Sequence, residues 1–177
     1  SACVWGAIDP EDGTLIIYRE LYKKGLLGTE LAEMLTNMEI EDPFSVAGVL
    51  DTACWSRTGT TGPTVGETLL RAGHKLRRAD KNRVQGKIQI HEYLKVTQSG
   101  RPRLQIFNTC PNLIRELQSI PLDKSNPEDV NTHAPDHAYD ALRYLIMSRP
   151  RINDPLSQMR QIQREQVFRP VDSTFGY

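Results

Sequence analysis

Residues 131–147 read NTHAPDHAYDALRYLIM. Ala141, Leu142, Leu145 and Ile146 recur there at three- and four-residue spacing, the stripe of a helix that buries one face. Pro135 suits the first turn of such a helix, where a missing N–H costs nothing. Three titratable groups, Asp136, His137 and Asp140, crowd the start of this helix. Asp136 and Asp140 stand one turn apart on one face, and His137 and Asp140, three apart, are also neighbours. Two carboxylates at that spacing repel unless something positive lies between them. In one account Asp136 answers the helix dipole and Asp140 pairs with Arg143. In the other, carboxylate oxygens and an imidazole hold a divalent cation, as in metal-dependent phosphodiester chemistry.

The elements upstream bear on that choice. Residues 2–8 alternate as a strand, Pro10, Glu11, Asp12 and Gly13 form a turn, and residues 14–21 (TLIIYREL) return as a second strand. The pair predicts a hairpin with Asp9 terminating it at the mouth. Thr29 is placed to cap a helix whose stripe is Leu31, Ala32, Met34, Leu35 and Met38. Residues 44–50 are almost wholly apolar, the pattern of a strand covered on both faces, and Asp51 ends the run. In sheets with parallel strands, catalytic groups collect beyond the carboxyl ends, so Asp51 is either a metal ligand or a turn cap. The loop that follows, SRTGTTGPTVGE, has no Lys-Ser or Lys-Thr after its glycines, which excludes an ATP-binding phosphate loop.

Thr64 or Pro63 opens a further helix through Leu69, Leu70 and Ala72, closed by Gly73. Residues 83–94 read as a helix, 103–107 as a strand, and 111–118 as a short helix with Leu113, Ile114 and Leu117 inward. A polar loop over 121–132 leads to the Asp136 helix. From Pro150 onward, prolines, glutamines and spaced arginines predict an extended tail with a short helix near 156–165. The order makes an α/β domain over 1–149, most simply of three layers.

The chain has 177 residues, 38% of them hydrophobic, enough for one domain with a real core. No run of about 18 apolar residues exists to span a membrane. The N-terminus enters an alternating run at once and lacks a basic flank, so the chain reads as beginning inside a domain. Cys3, Cys54 and Cys110 have neither the number nor the spacing of a disulfide framework or zinc site. Net charge is zero but unevenly spread. Residues 1–70 hold 4 basic and 11 acidic groups, residues 71–103 hold 10 and 2, and residues 104–177 hold 8 and 9. The middle segment is a basic island.

DHAYDALRY, taken with GAIDPEDGTLIIYREL, VAGVLDTACW, ADKNRVQGK, PRLQIFNTCPNLIREL and EDVNTHAPDHAYDALRY, resembles the C-terminal nuclease domain of the large terminase subunit of tailed bacteriophages. The likeness runs over roughly residues 2–149, with several blocks in order. It implies a ribonuclease H-like three-layer fold, a mixed sheet flanked by helices. It further implies a metal-dependent endonuclease that cuts concatemeric double-stranded viral DNA during packaging, using Mg²⁺ or Mn²⁺, two ions in the complete site. Asp51 resembles the second catalytic acid and Asp140 the last, both as metal ligands. His137 falls where some members place a histidine, and Asp136, one position earlier, is a further candidate ligand. The first acid is expected shortly before Ser1, since Asp9 stands one strand too late. Implied partners are double-stranded viral DNA and, in the full-length protein, an ATPase motor domain, a small terminase subunit and a portal. The implied setting is the host cytoplasm, with no membrane.

On this reading Lys75, Arg77, Arg78, Lys81, Arg83 and Lys87 grip phosphates along the duplex, positioning DNA without reading its sequence. An acidic catalytic site needs such flanks, because alone it repels the phosphate backbone. Two other readings stand beside it. One is a non-catalytic DNA-docking or motor-interaction module with a purely structural acidic helix. The other is a different ribonuclease H-like nuclease, such as a junction resolvase or transposase.

Overall fold

The computed structural model describes residues 1–57, 62–98, 100–122 and 135–149. Strand β1 (Ala2–Ile8) and strand β2 (Leu15–Tyr22) form the expected antiparallel hairpin. Asp9 closes it: its N–H donates to Thr14 O at 2.9 Å, and its Oδ1 accepts the Glu11 N–H at 2.9 Å. The register steps from Trp5↔Arg19 to Gly6↔Ile17, leaving Tyr18 unmatched. A bulge of one residue moves the side chains beyond it to the other face of the sheet. Leu15 and Ile17 accordingly enter one core while Leu21 enters a second.

The remaining elements are α1 (Gly28–Glu39), β3 (Ala47–Leu50), a 3₁₀ turn (Thr52–Trp55), α2 (Val65–Arg71), β4 (Lys75–Arg78), α3 (Arg83–Leu94), β5 (Leu104–Ile106), α4 (Pro111–Ser119) and α5 (His137–Met147). β5 runs parallel to β2, with Leu15 opposite Leu104 and Ile17 opposite Ile106. β3 and β4 pair in parallel as a separate ladder, from Ala47 opposite Lys75 to Leu50 opposite Arg78. The larger core joins Leu15 and Ile17 to Ile90 and Tyr93 of α3, Leu113 of α4, and Ala138, Tyr139, Leu142 and Ile146 of α5. The smaller core joins Trp5 and Leu21 to Leu31, Ala32 and Leu35 of α1 and Leu69 of α2. Helices thus cover both faces of a mixed sheet, the expected layered α/β architecture.

Thr64 caps α2 as its sequence predicts, in a reciprocal pair: Glu67 N–H donates to Thr64 Oγ1 at 3.1 Å and Thr64 N–H to Glu67 Oε2 at 2.8 Å. Three local expectations are corrected. Helix α1 starts at Gly28, with the N–H of Leu27 satisfied by Glu30 Oε2 at 2.8 Å, so Thr29 lies inside the helix. The strand expected over 44–50 and covered on both faces is only Ala47–Leu50, and half-buried, while Phe44 is 83% exposed. Among the described residues β3 has a partner on one edge alone, a difference that an apolar run does not encode. Helix α5 is buried around most of its circumference, with Tyr139, Arg143 and Tyr144 joining the predicted apolar stripe. The expected tail from residue 150 and most of the polar loop over 121–132 lie outside the described residues.

Candidate functional site

Helix α5 has no cap of its own, because Asp136 sits at the capping position without a side-chain bond to the first turn. Glu116 of α4 does that work, 1% exposed, its Oε2 accepting the N–H of Ala138 at 2.7 Å and of Tyr139 at 3.0 Å. Helix α4 is capped in the same borrowed way. Glu20 of β2 accepts the N–H of Asn112 at 2.9 Å, the N–H of Leu113 at 3.0 Å and Asn112 Nδ2 at 2.7 Å. A carboxylate at the positive end of a helix satisfies orphan donors and the dipole together. This relay from β2 through α4 fixes where the first turn of α5 stands, and with it Asp140.

Asp140 Oδ1 accepts the Nε–H of Arg143 at 3.0 Å, and Nη2 of the same guanidinium lies 2.9 Å from that oxygen as an ion pair. Arg143 is 2% exposed, and its stem crosses α3 at Gly86. A Cβ on residue 86 would stand 2.4 Å from Arg143 Cγ, so only glycine admits the arginine there. A second guanidinium, Arg83, lies 3.6 Å from Asp140 Oδ2 and 3.7 Å from Asp136 Oδ2. It is the positive group that two carboxylates one turn apart require. Burial pushes the Asp136 carboxyl above its ordinary range, helped by the charge of Asp140 and opposed by Arg83. His137 has a largely exposed side chain, with Nδ1 3.8 Å from Asp136 Oδ1.

Asp51 stands at the carboxyl end of β3, where its Oδ1 accepts the N–H of Ala53 at 2.8 Å and faces Lys81 Nζ at 3.4 Å. Its Oδ2 accepts the hydroxyl of Tyr144 at 2.7 Å. Burial raises this carboxyl, but the Ala53 N–H, the Tyr144 O–H and Lys81 outweigh it and hold Asp51 below the usual range. The Tyr144 phenol is pushed up to about 12 by burial, by its bond to Asp51 and by the charge of Asp140. Behind Asp51, Trp55 lies flat on α2 at Gly66, where a Cβ would come within 2.6 Å of the indole.

Around Tyr144 and Arg83, three carboxylates (Asp51, Asp136, Asp140) face three cations (Lys81, Arg83, Arg143). Among the described residues no three His, Cys, Asp or Glu side chains converge as a metal-ligand group. The basic island divides by partner. Lys75 Nζ donates to Ser45 Oγ at 2.9 Å, Arg77 Nη2 to Ser148 O at 2.6 Å at the end of α5, and Arg78 stacks 5.5 Å from the Trp55 ring. Lys81 and Arg83 turn to the acids, and Lys87 lies one turn further along α3. Sequence reasoning passed over Tyr144, Glu116 and Gly86. The signal for Tyr144 was its place one turn after Asp140, but an aromatic on an apolar helix reads as ordinary core.

No family model matches the chain, and no curated protein matches it in sequence. Solved structures do match its fold. The large terminase of a thermophilic bacteriophage matches with a TM-score of 0.62 at 19% identity, over 82% of this chain and 36% of that one. The P22 large terminase nuclease domain matches with a TM-score of 0.57 at 16% identity, over 82% of this chain and 73% of that one. The same thermophilic phage terminase in complex with ADP matches with 0.58 at 18% identity, over 84% and 39% of the two chains. The chain thus has the ribonuclease H-like fold of a terminase nuclease domain, and spans about a third of the thermophilic phage protein's length.

Proposed function

We propose that the chain is the nuclease domain of a DNA-packaging terminase, a metal-dependent endonuclease that cuts concatemeric double-stranded viral DNA. The observation that supports the reading is that α5, which carries Asp140 in its first turn, also carries Tyr144, whose hydroxyl bonds Asp51 at the carboxyl end of the parallel strand β3. Acids delivered by separate elements to one place are what metal-dependent phosphodiester cleavage uses. The donor set fits a hard divalent cation such as Mg²⁺ or Mn²⁺ in chemistry, being carboxylate oxygens with an imidazole beside them. Asp51 and Asp140 would hold it, with Asp136 and His137 flanking. Such a cation, when bound, activates water and stabilises the leaving oxygen.

The chain's own residues prepare the site for a polyanion. Arg143 occupies Asp140 Oδ1 and leaves Oδ2 toward Arg83, whose guanidinium also serves Asp136. Lys81 and Arg78, exposed beside the end of β3, carry charge that offsets the acids where a phosphate backbone would pass. In the full-length protein the domain would work beside an ATPase motor domain, a small terminase subunit and a portal, in the host cytoplasm.

One observation favours a second reading, a DNA-docking or motor-interaction module without catalysis: each of the three carboxylates already has a cationic partner. Nicking of supercoiled plasmid by the full-length protein decides between them. Asp140→Asn and Asp51→Asn should each abolish Mg²⁺- or Mn²⁺-dependent nicking while circular dichroism shows an intact fold. Wild-type nicking by either variant refutes the catalytic reading, and preference for branched over linear DNA would move the assignment to a resolvase.

A further inference from the structure

Arg143 and Tyr144 are consecutive residues of α5, yet each reaches a different acid. Arg143 donates its Nε–H to Asp140 Oδ1 at 3.0 Å with Nη2 2.9 Å from the same oxygen, and Tyr144 gives its hydroxyl to Asp51 at 2.7 Å, 93 residues away in sequence. The two side chains are also tied to each other, the Arg143 guanidinium lying 4.4 Å from the centroid of the Tyr144 ring. Arg143 has little room to move, being 2% exposed and seated against Gly86. We propose that Arg143 and Tyr144 are positioning residues that hold Asp140 and Asp51 in one fixed mutual orientation, making α5 the common frame of two acids borne on separate elements. The consequence for cleavage rests on the nuclease reading above, whereas the consequence for cation binding does not.

The geometry explains why the frame is needed. Without the Tyr144 hydroxyl, Asp51 would be held only through Oδ1, by the Ala53 N–H and Lys81, and Oδ2 would be free to rotate about that anchor. Asp51 follows a four-residue strand paired on one edge among the described residues, a weak platform for a ligand that must be placed to a fraction of an ångström. The Tyr144 bond transfers the rigidity of a packed helix to it. Partners of metal-ligating carboxylates act in this way generally, and their loss costs about 10–100-fold in metal affinity or activity. The plain alternative is that Tyr144 is a core aromatic whose hydroxyl happens to find an acceptor.

Tyr144→Phe in the full-length protein separates the two, because it removes the hydroxyl and keeps the ring and its stacking. Titration with Mn²⁺ by calorimetry should show weakening of about 10-fold or more. The Mn²⁺ needed for half-maximal plasmid nicking should rise in step, with KM for DNA unchanged. Arg143→Lys keeps the charge but loses the planar guanidinium that seats Nε and Nη2 on one oxygen of Asp140, so it should shift the Mn²⁺ dependence in the same direction. Wild-type Mn²⁺ affinity and dependence in Tyr144→Phe, with only the melting temperature lowered, would overturn the proposal. If wild type binds Mn²⁺ and Tyr144→Phe binds it more weakly, but neither nicks DNA, the positioning role stands and the nuclease reading falls. Absence of any Mn²⁺ binding by the wild type would remove both.

Discussion

Asp140 and Asp51 are held to different degrees. Asp140 belongs to a helix packed into the larger core, with Leu142 fully buried two residues on, a borrowed cap from Glu116 and a buried guanidinium on one oxygen. Asp51 follows a short, half-buried strand whose last residue, Leu50, offers its carbonyl to the Trp55 indole N–H at 3.4 Å, and it is held by Tyr144 reaching across from α5. The α5 acid is thus fixed by its own surroundings and the β3 acid by a loan from α5. Damage to α5 should therefore disturb both acids, and damage near β3 only one.

The largest effect should come from the cores. Leu142→Ala empties a fully buried position among three helices and should cost about 2–5 kcal/mol in urea unfolding. Replacing half-buried Leu76 of the largely exposed β4 with Ala should cost about 1 kcal/mol, since less area leaves water there. Equal costs would erase the contrast in stability between the two regions.

The two helical glycines probe the same contrast at lower cost. Gly86→Ala drives a methyl into the stem of a buried arginine and should destabilise by about 1–3 kcal/mol, moving the guanidinium from Asp140 and abolishing nicking. Gly66→Ala meets the Trp55 ring, which is only half-buried and can swing outward. It should cost less and raise the Mn²⁺ requirement through Asp51 while leaving some activity. The reverse order in a paired measurement of stability and nicking would show that Asp51, not Asp140, has the firmer seat.

The smallest effect concerns Asp136, whose raised carboxyl marks an ionised form disfavoured in the fold by burial and by Asp140. A carboxyl raised on folding lowers stability while ionised, and the cost disappears as pH falls through the raised value. Asp136→Asn should thus melt slightly higher than wild type at neutral pH in chelator, with the difference closing below the ordinary carboxylate value of about 4. A variant less stable at neutral pH would mean that the loss of an Arg83 partner outweighs the relief.

Much of the frame was legible because its causes are local. The period-2 runs marked β1 and β2, residues 83–94 read as the helix that the structure shows, and Thr64 announced the start of α2. The placement of Asp51 at a strand end and of Asp140 in the first turn of a helix likewise followed from short patterns of apolar residues and caps. Hydrogen bonds and side-chain spacing within a few residues suffice to set all of these. Other features arise only from packing between distant elements. Nothing local marks Tyr18 as the residue left over in the hairpin, KLRR as a strand, or Arg143 and Glu116 as buried charges. A charged residue is buried only where a partner offsets its desolvation, as Asp140 does for Arg143 from within α5 and as the first turn of α5 does for Glu116 from across the fold. The Tyr144–Asp51 bond is of the same kind, since the partner that gives each residue its role is brought to it only when β3 and α5 pack side by side.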